Sequence, residues 1–133
     1  MVVYTESPEG ILIEHLQGFF VGWKQAPSPE RHLQLLEKSD YVILAKDGEK
    51  VVGFITAITD HVLAAYIPLL EVLPEYQNQG IGKELAKRML EKLQDFYMVD
   101  LLCDPQLQSF YEQMGMQKAA GMMKRNYSKQ SGV

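Results

Sequence analysis

Val72-Leu73-Pro74-Glu75-Tyr76-Gln77-Asn78-Gln79-Gly80-Ile81-Gly82-Lys83 runs off an apolar strand, through a glycine turn and straight into an amphipathic helix. Downstream, Ile81, Leu85, Met89, Leu90 and Leu93 fall on one helical face, and Lys83, Lys87, Arg88, Glu91 and Lys92 on the other. The loop therefore ends at a helix N-terminus, where the first main-chain N–H groups lack intrahelical partners and sit at the positive end of the dipole. Such a terminus binds an anion if side chains do not crowd it, and Gly80 and Gly82 remove the crowding.

Two phosphate-binding loops fail on a required residue. A nucleoside-triphosphate loop needs Gly-Lys-Ser or Gly-Lys-Thr, but Gly82-Lys83 is followed by Glu84, and Gln77 stands where the first glycine belongs. A dinucleotide fingerprint starts well at Gly80 and Gly82 but has Leu85 in place of the third glycine. What remains is Gln-x-x-Gly-x-Gly after a strand ending in Val-x-Pro, and this resembles the pyrophosphate loop of the GNAT acetyltransferase superfamily, which binds acetyl-coenzyme A. A second segment, Asp104-Pro105-Gln106-Leu107-Gln108-Ser109-Phe110-Tyr111-Glu112-Gln113-Met114-Gly115-Met116, is similar to that superfamily's Phe-Tyr-x-x-x-Gly-Phe helix. Met116 replaces the usual aromatic residue, and Gln77 stands where arginine is more frequent. One helix and one strand separate the two motifs, as that fold requires, and the resemblance covers nearly the whole chain.

The resemblance implies an α/β fold (an α+β mixed sheet) with a central mixed sheet, helices on both faces, and a single N-acetyltransferase domain over residues 1–133. It implies a cofactor site made by Leu70, Val72 and Leu73 on the strand and by Gln77, Asn78, Gln79, Gly80, Ile81, Gly82 and Lys83 in the loop.

Composition sets bounds of its own. The chain has 133 residues, 47% of them hydrophobic, enough to bury one core, so one domain is expected. No basic-then-apolar leader opens the sequence and no apolar run approaches the roughly 18 residues of a membrane span, so a soluble, unprocessed protein is expected. Cys103 is the single cysteine; without an internal disulfide partner it fits a reducing cytoplasm, and within Leu101-Leu102-Cys103 it reads as a small core residue. A net charge of -4 argues against a nucleic-acid partner. Residues 1–75 carry 11 acidic and 5 basic side chains, whereas 76–133 carry 6 and 8. The basic half holds the phosphate loop, which suits an anionic cofactor on one side and a cationic, amine-bearing acceptor on the other. His15, His32 and His61 are isolated from each other and from cysteine, so no metal site is expected.

Along the chain, Val2 to Thr5 reads as an edge strand. Ser7-Pro8-Glu9 and Ser28-Pro29-Glu30 both read as helix starts, with serine as N-cap and proline at the first helical position. Ile11, Leu12, His15, Leu16 and Phe19 would face the core from the first helix, and Leu33 and Leu36 from the second. Between them, Gly18-Phe19-Phe20-Val21-Gly22-Trp23 is an aromatic cluster bracketed by glycines, and Phe20 and Trp23 are candidates for the acceptor pocket. Tyr41–Lys46, the turn Asp47-Gly48-Glu49, and Val51–Thr59 predict a hairpin. A third strand over Val62 to Val72 carries Pro68, which cannot donate to a ladder and so demands an edge or a bulge. A bulge there would splay the strand from its next neighbour and free main-chain groups around Leu70 to Leu73 for an extended ligand; the resemblance implies that the pantetheine arm lies there like an added strand. Tyr97 to Cys103 predicts a further strand, and Asp104-Pro105 a helix whose face is Leu107, Phe110, Tyr111 and Met114. Gln117 to Tyr127 reads as a closing hairpin, and Ser128 to Val133 as a frayed end.

Acetyl transfer to an amine needs a free amine, a polarised thioester carbonyl, a place for negative charge on the tetrahedral oxygen, and a proton for the leaving thiolate. A free main-chain N–H near Val72 serves the oxygen. No Ser-His-Asp or Cys-His constellation is present, so direct attack is the economical mechanism. Tyr111 is the candidate acid: a phenol near pKa 10 stays protonated at neutral pH and can donate to a thiolate whose conjugate acid lies near about 8.5. The superfamily places this role on the matching tyrosine. Glu71 is the first candidate base, a carboxylate inside an apolar strand where desolvation would raise its pKa, although strand alternation turns it away from Leu70 and Val72. Tyr66, on the parity of Leu70, matches a position where some relatives carry their base, and Asp60 and His61 are further candidates.

The sequence thus supports transfer of acetyl from acetyl-coenzyme A to a primary amine of a small molecule or peptide. A non-catalytic acyl-coenzyme A sensor and a protein lysine or N-terminal modifier are the rival readings. Sequence alone leaves the acceptor, the acyl-chain preference and the oligomeric state, a homodimer included, open.

Overall fold

Strand pairing in the computed structural model, which describes residues 1–133, is a single sheet in the order β1-β2-β3-β4-β5. β1 (Val2–Thr5), β2 (Tyr41–Asp47), β3 (Lys50–Thr59) and β4 (Ala64–Val72) are antiparallel to one another in turn, and β5 (Met98–Asp100) is parallel to β4. A parallel pair needs a crossover, and α2 (Ile81–Lys92) supplies it. The two remaining helices are α1 (Pro29–Lys38) and the short α3 (Gln108–Glu112). This is the mixed sheet with helices on both faces that the sequence implies.

Alternation along the strands creates two cores. Ile43, Ala45, Ile55, Ala57, Ala65 and Ile67 pack on Ile81, Leu85 and Met89 of α2 and on Leu93 at its C-cap, whereas Val42, Leu44, Val51 and Phe54 pack on Leu36 of α1 with Ile11, Leu16 and Phe20. The β2–β3 hairpin forms with Asp47 opposite Lys50, so only Gly48 and Glu49 make the turn. α1 starts as expected: Ser28 Oγ accepts the Arg31 N–H at 3.2 Å and Pro29 takes the first helical position.

The first expected helix does not form. Ser7 Oγ accepts the Glu9 N–H, but Gly10 then turns left-handed at φ 82° and ends the run, leaving one 3-10 turn at Ile13–His15. Ile11 and Leu16 still reach the core while Leu12 is exposed, because the segment turns rather than repeating with a helical period. β5 is shorter than Tyr97 to Cys103, and Leu107 is exposed rather than on a buried face. Gln117 to Tyr127 forms no hairpin: no strand is present there, and the segment lies exposed beyond β5. The end of the chain, expected to fray, is instead docked, since Gln25 N–H donates to Gln130 Oε1 at 2.9 Å.

Candidate functional site

The site is built around a bulge in β4. Across from β3, Thr56 faces Leu69 and Ile58 faces Tyr66, so β4 takes three steps where β3 takes two. The extra residue falls at Ile67-Pro68, which resolves the conflict that proline creates inside a sheet. Pairing with β5 runs only through Ala64, Ala65 and Tyr66 opposite Met98, Val99 and Asp100. Beyond Tyr66 the two strands part, and a wedge opens between them.

Leu73 N–H donates to Val52 O at 2.9 Å, and this sets the alternation of the ladder. Leu69, Glu71 and Leu73 bond toward β3, while Leu70 and Val72 present main-chain groups to the wedge. Leu70 and Val72 therefore face the wedge with main-chain groups. Leu73 is a correction: its amide is spent on β3 and its side chain is buried in the core. Gln77 Nε2 donates to Val72 O at 3.0 Å, leaving the Val72 N–H as the group that faces outward. This brace was not read from the sequence.

The bulge also re-sorts side chains between faces. Ile67, Leu70 and Val72 belong with the α2 core, and Leu69 with the α1 core. Tyr66 is paired with Ile58 and Glu71 with Phe54, both on the α1 face, so Tyr66 does not share a face with Leu70. It shares one with Glu71, because a single inserted residue inverts the parity of everything before it. Tyr66 remains more than a third exposed at the point where the strands part.

At the other end of the wedge, α2 begins without a side-chain cap. Its N-cap Gly80 is left-handed at φ 83° and a Cβ added there would meet nothing within 4 Å; one added at Gly82 would meet only Val72 Cγ2 at 3.7 Å. Asn78 is also left-handed at φ 63°. The N–H groups of Ile81, Gly82 and Lys83 are thus the uncapped start of a 12-residue helix, with Gln77, Asn78, Gln79 and Lys83 exposed around them. The turn before them is held to the sheet by Tyr76 Oη donating to Asp47 Oδ2 at 2.7 Å and by Lys50 against Glu75 at 3.4 Å.

On the α1 face, the Glu71 carboxylate accepts the main-chain N–H of Phe20. Burial pushes the Glu71 carboxyl up, opposed by the N–H bonds from Phe20 and Val21. Phe20, left-handed at φ 62°, is buried in the core, so it is a floor of the loop rather than an open contact; Trp23 packs on it at 4.9 Å and stays partly exposed. His32 sits beneath them against the rings of Phe19, Phe20 and Phe54, 99% buried by its 1% exposure, with neither ring nitrogen hydrogen-bonded. Burial lowers its pKa to about 4, so the imidazole is neutral. Only the bracket of glycines around Phe19 to Val21 hinted at this latch.

Tyr111 lies beyond the wedge on α3, 9% exposed, with its ring edge-on to Phe110. Burial, then the neighbouring Cys103, raises its pKa above the usual phenol value. Both line a cleft of about 1250 Å³ that Tyr66 also borders. Cys103 is accordingly a half-buried cleft residue, not a core one.

Asp60 and His61 are elsewhere, in the β3–β4 turn at the opposite end of β4 from Val72. Asp60 Oδ1 accepts three N–H groups, from Val62, Leu63 and Ala64, which hold its pKa down to about 2, and His61 Nε2 bonds Asp40 at 2.9 Å. Those carboxylate lone pairs stabilise a turn and are not available as a base at the wedge.

Comparison with known proteins agrees with this geometry. The family model described as "Acetyltransferase (GNAT) family" matches residues 9–116. A chloroplastic GCN5-related N-acetyltransferase 2 of Arabidopsis thaliana is 36% identical over 78 residues, covering 53% of this chain and 30% of that protein. An uncharacterised N-acetyltransferase, ycf52, of Pyropia yezoensis is 28% identical over 87% of this chain and 71% of its own length. The chain thus spans less than a third of the first of these relatives. A crystal structure from Deinococcus radiodurans R1, of a protein provisionally described as an acetyltransferase, superimposes with a TM-score of 0.95 at 40% identity over 99% of this chain and 93% of that one. With the family model covering most of its length and the splayed, glycine-started wedge in place, the chain belongs to the GNAT acetyltransferase family.

Proposed function

We propose that the chain transfers an acetyl group from acetyl-coenzyme A directly to the primary amine of a small molecule or peptide. The observation that carries this reading is one continuous stretch, Leu70 to Lys83, offering outward main-chain groups on β4 and then an uncapped helix start with no side chain over Gly80 or Gly82. A pantetheine arm and a pyrophosphate ask for those two features in that order. Leu70 and Val72 would hold the arm, and Gln79 to Lys83 the pyrophosphate.

When bound, acetyl-coenzyme A supplies an acyl group as a thioester, activated toward attack by an amine. Val72 offers its N–H to an oxygen on which negative charge develops. Tyr111, kept protonated by burial, gives a proton to a departing thiolate. Glu71 is the carboxylate on the acceptor side; with its pKa pushed upward it takes a proton from the incoming ammonium, either directly or through water. Trp23 and Tyr66, both partly exposed on that side, contact the acceptor, and Phe20 shapes the floor beneath them.

The experiment is thiol detection with acetyl-coenzyme A and a panel of small amines and lysine-bearing peptides. Acetyl-coenzyme A binding with thiol release that depends on amine supports the reading. Tight binding with no release above the amine-free rate identifies a sensor instead.

A further inference from the structure

Gly18 to Trp23 crosses the α1 face of the sheet with little of its own to hold it. Gly18 and Gly22 bracket the loop in left-handed conformation, at φ 93° and 85°, and Phe20 between them is left-handed at φ 62°, where a Cβ is disfavoured. From Gln17 to Pro27 one main-chain hydrogen bond is internal, Trp23 N–H to Phe20 O at 3.2 Å. The loop is fixed from outside instead. The Glu71 carboxylate accepts the N–H groups of Phe20 and Val21, and the Phe20 ring rests on His32 and Phe54 at 4.9 and 6.1 Å. Glu71 is the one side chain of the sheet that hydrogen-bonds this loop, and no charged group competes for it. Phe54 stands opposite Glu71 on β3, Leu69 lies on the same face of β4, neutral His32 of α1 packs behind Phe20, and Lys24, the loop's one charge, is exposed. Only burial and the two N–H groups move the Glu71 pKa.

We propose that Glu71 is a proton-operated latch, which as a carboxylate holds Gly18 to Trp23 closed on the sheet and on taking a proton lets the loop swing out about its two glycines. A hydrogen bond to an ionised acceptor is roughly twice as strong as one to a neutral group, so the protonated carboxyl holds the two N–H groups more weakly. The left-handed backbone at Phe20 is then free to relax, and Gly18 and Gly22 take up the change of dihedral at no steric cost. Linkage makes the effect reciprocal: the closed loop favours the carboxylate and the open loop favours the acid. In turnover, a role that rests on the acetyl-transfer reading, the acceptor ammonium supplies the proton. Its N–H bond breaks, a Glu71 O–H bond forms, and the amine keeps the lone pair. The transfer that makes the nucleophile thus also loosens the loop on the acceptor side. Loss of the proton to water re-forms the latch, so the site closes only when the base is ready again.

Trp23 is the only tryptophan, partly exposed and packed on Phe20 at 4.9 Å, so its fluorescence reports the loop in the free protein. Glu71→Gln keeps an acceptor oxygen but no charge. At pH 7 it should at least double the quenching of Trp23 by acrylamide and speed exchange of the Phe20 and Val21 amides about tenfold or more, with β3 amides and the far-ultraviolet spectrum unchanged. Wild type should show the same rise in quenching on acidification from pH 7 to pH 5, and Glu71→Gln should show none. His32→Phe removes the other titratable group of this layer and should retain the rise. Equal quenching and exchange in wild type and Glu71→Gln at pH 7 overturn the proposal, as does an acid rise that persists in Glu71→Gln or vanishes in His32→Phe. If Glu71→Gln does not fold, wild type and His32→Phe decide: a rise in both supports the latch, and its absence from either overturns it. None of these measurements uses acetyl-coenzyme A or an amine, so failure of the latch is distinct from failure of the acetyl-transfer reading, which the thiol assay tests.

Discussion

Glu71 and Phe20, 51 residues apart, are joined by a hydrogen bond from the Phe20 N–H to the Glu71 carboxylate. The bond fixes a left-handed residue in the loop and ties that loop to the strand that opens the wedge. It gives Glu71 two separable roles, anchor and base. Glu71→Gln keeps an acceptor oxygen for Phe20 but cannot take a proton, so it should fold with a melting temperature near wild type and lose about 10²-fold in turnover. Glu71→Ala leaves two loop N–H groups without their acceptor and should cost about 1–3 kcal/mol in addition. A Glu71→Gln enzyme with full turnover and an unshifted acidic limb would reduce Glu71 to the anchor alone.

Gly80 and Gly82 separate in the same way. Gly82→Val meets little but Val72 and should fold normally, yet it screens the N–H groups at the start of α2. Calorimetry should show acetyl-coenzyme A affinity falling at least tenfold. Gly80→Ala has open space but the wrong backbone, φ 83°, and should lower stability by about 1–2 kcal/mol through strain. In the wild type, acetyl-coenzyme A at about a hundred times its dissociation constant should add about 2.7 kcal/mol of stability, and NAD or ATP should add none. Melting raised by NAD and not by acetyl-coenzyme A would contradict the proposed cofactor.

The limits of the sequence reading have physical causes. Gln77 to Lys83 was legible because a glycine at a helix start has few uses, and Pro68 was legible because its missing N–H forces an irregularity. What the bulge then did was not legible. Inverting the parity of Tyr66 depends on whether the inserted residue falls before or after it, and that is settled by pairing with Ile58 across the sheet. Residues 6–27 failed for a different reason. Their apolar residues do reach the core, but through turns made by left-handed glycines and by Phe20, and a loop of that kind has no period to detect. The tail failed because strand propensity does not say whether a segment finds an edge to pair with.

His32 makes stability depend on acidity. Its folded pKa, about 4, lies below the ordinary value of 6.5, so between these limits the unfolded chain binds the extra proton. Stability should therefore rise with pH through this window, be complete above about 6.5, and fall by up to about 3 kcal/mol on acidification to pH 4. Glu71, whose pKa is raised, acts in the opposite sense, and Asp60, whose pKa is lowered, acts only at more acid pH. His32→Phe isolates the imidazole: it fills the aromatic nest among Phe19, Phe20 and Phe54 and cannot be protonated. Urea midpoints of the variant at pH 7 and pH 4.5 should differ much less than those of the wild type. Equal sensitivity in both would mean that the imidazole reaches water in the native state.

Tyr111 is the residue at which packing and catalysis must be told apart. It is nearly buried, it fills the face of α3, and it stacks edge-on with Phe110, so a purely structural role would explain its position. Tyr111 nonetheless lines the cleft together with Cys103, and burial raises the pKa of its hydroxyl above the usual phenol value. Phenylalanine preserves the ring, the edge-on contact and almost all the buried area while removing the hydroxyl and, with it, the proton. If Tyr111 is the acid, Tyr111→Phe should turn over about 10²-fold more slowly with cofactor affinity and melting temperature nearly unchanged. The loss should appear in kcat as much as in kcat/KM, because the proton is needed only as the thiolate leaves. Since burial raises the wild-type phenol above its ordinary value, the alkaline limb of its rate should be shifted to higher pH and be absent from the variant. An amine whose product forms at the wild-type rate in Tyr111→Phe, with the same alkaline limb, would leave the ring as packing and assign the proton to solvent.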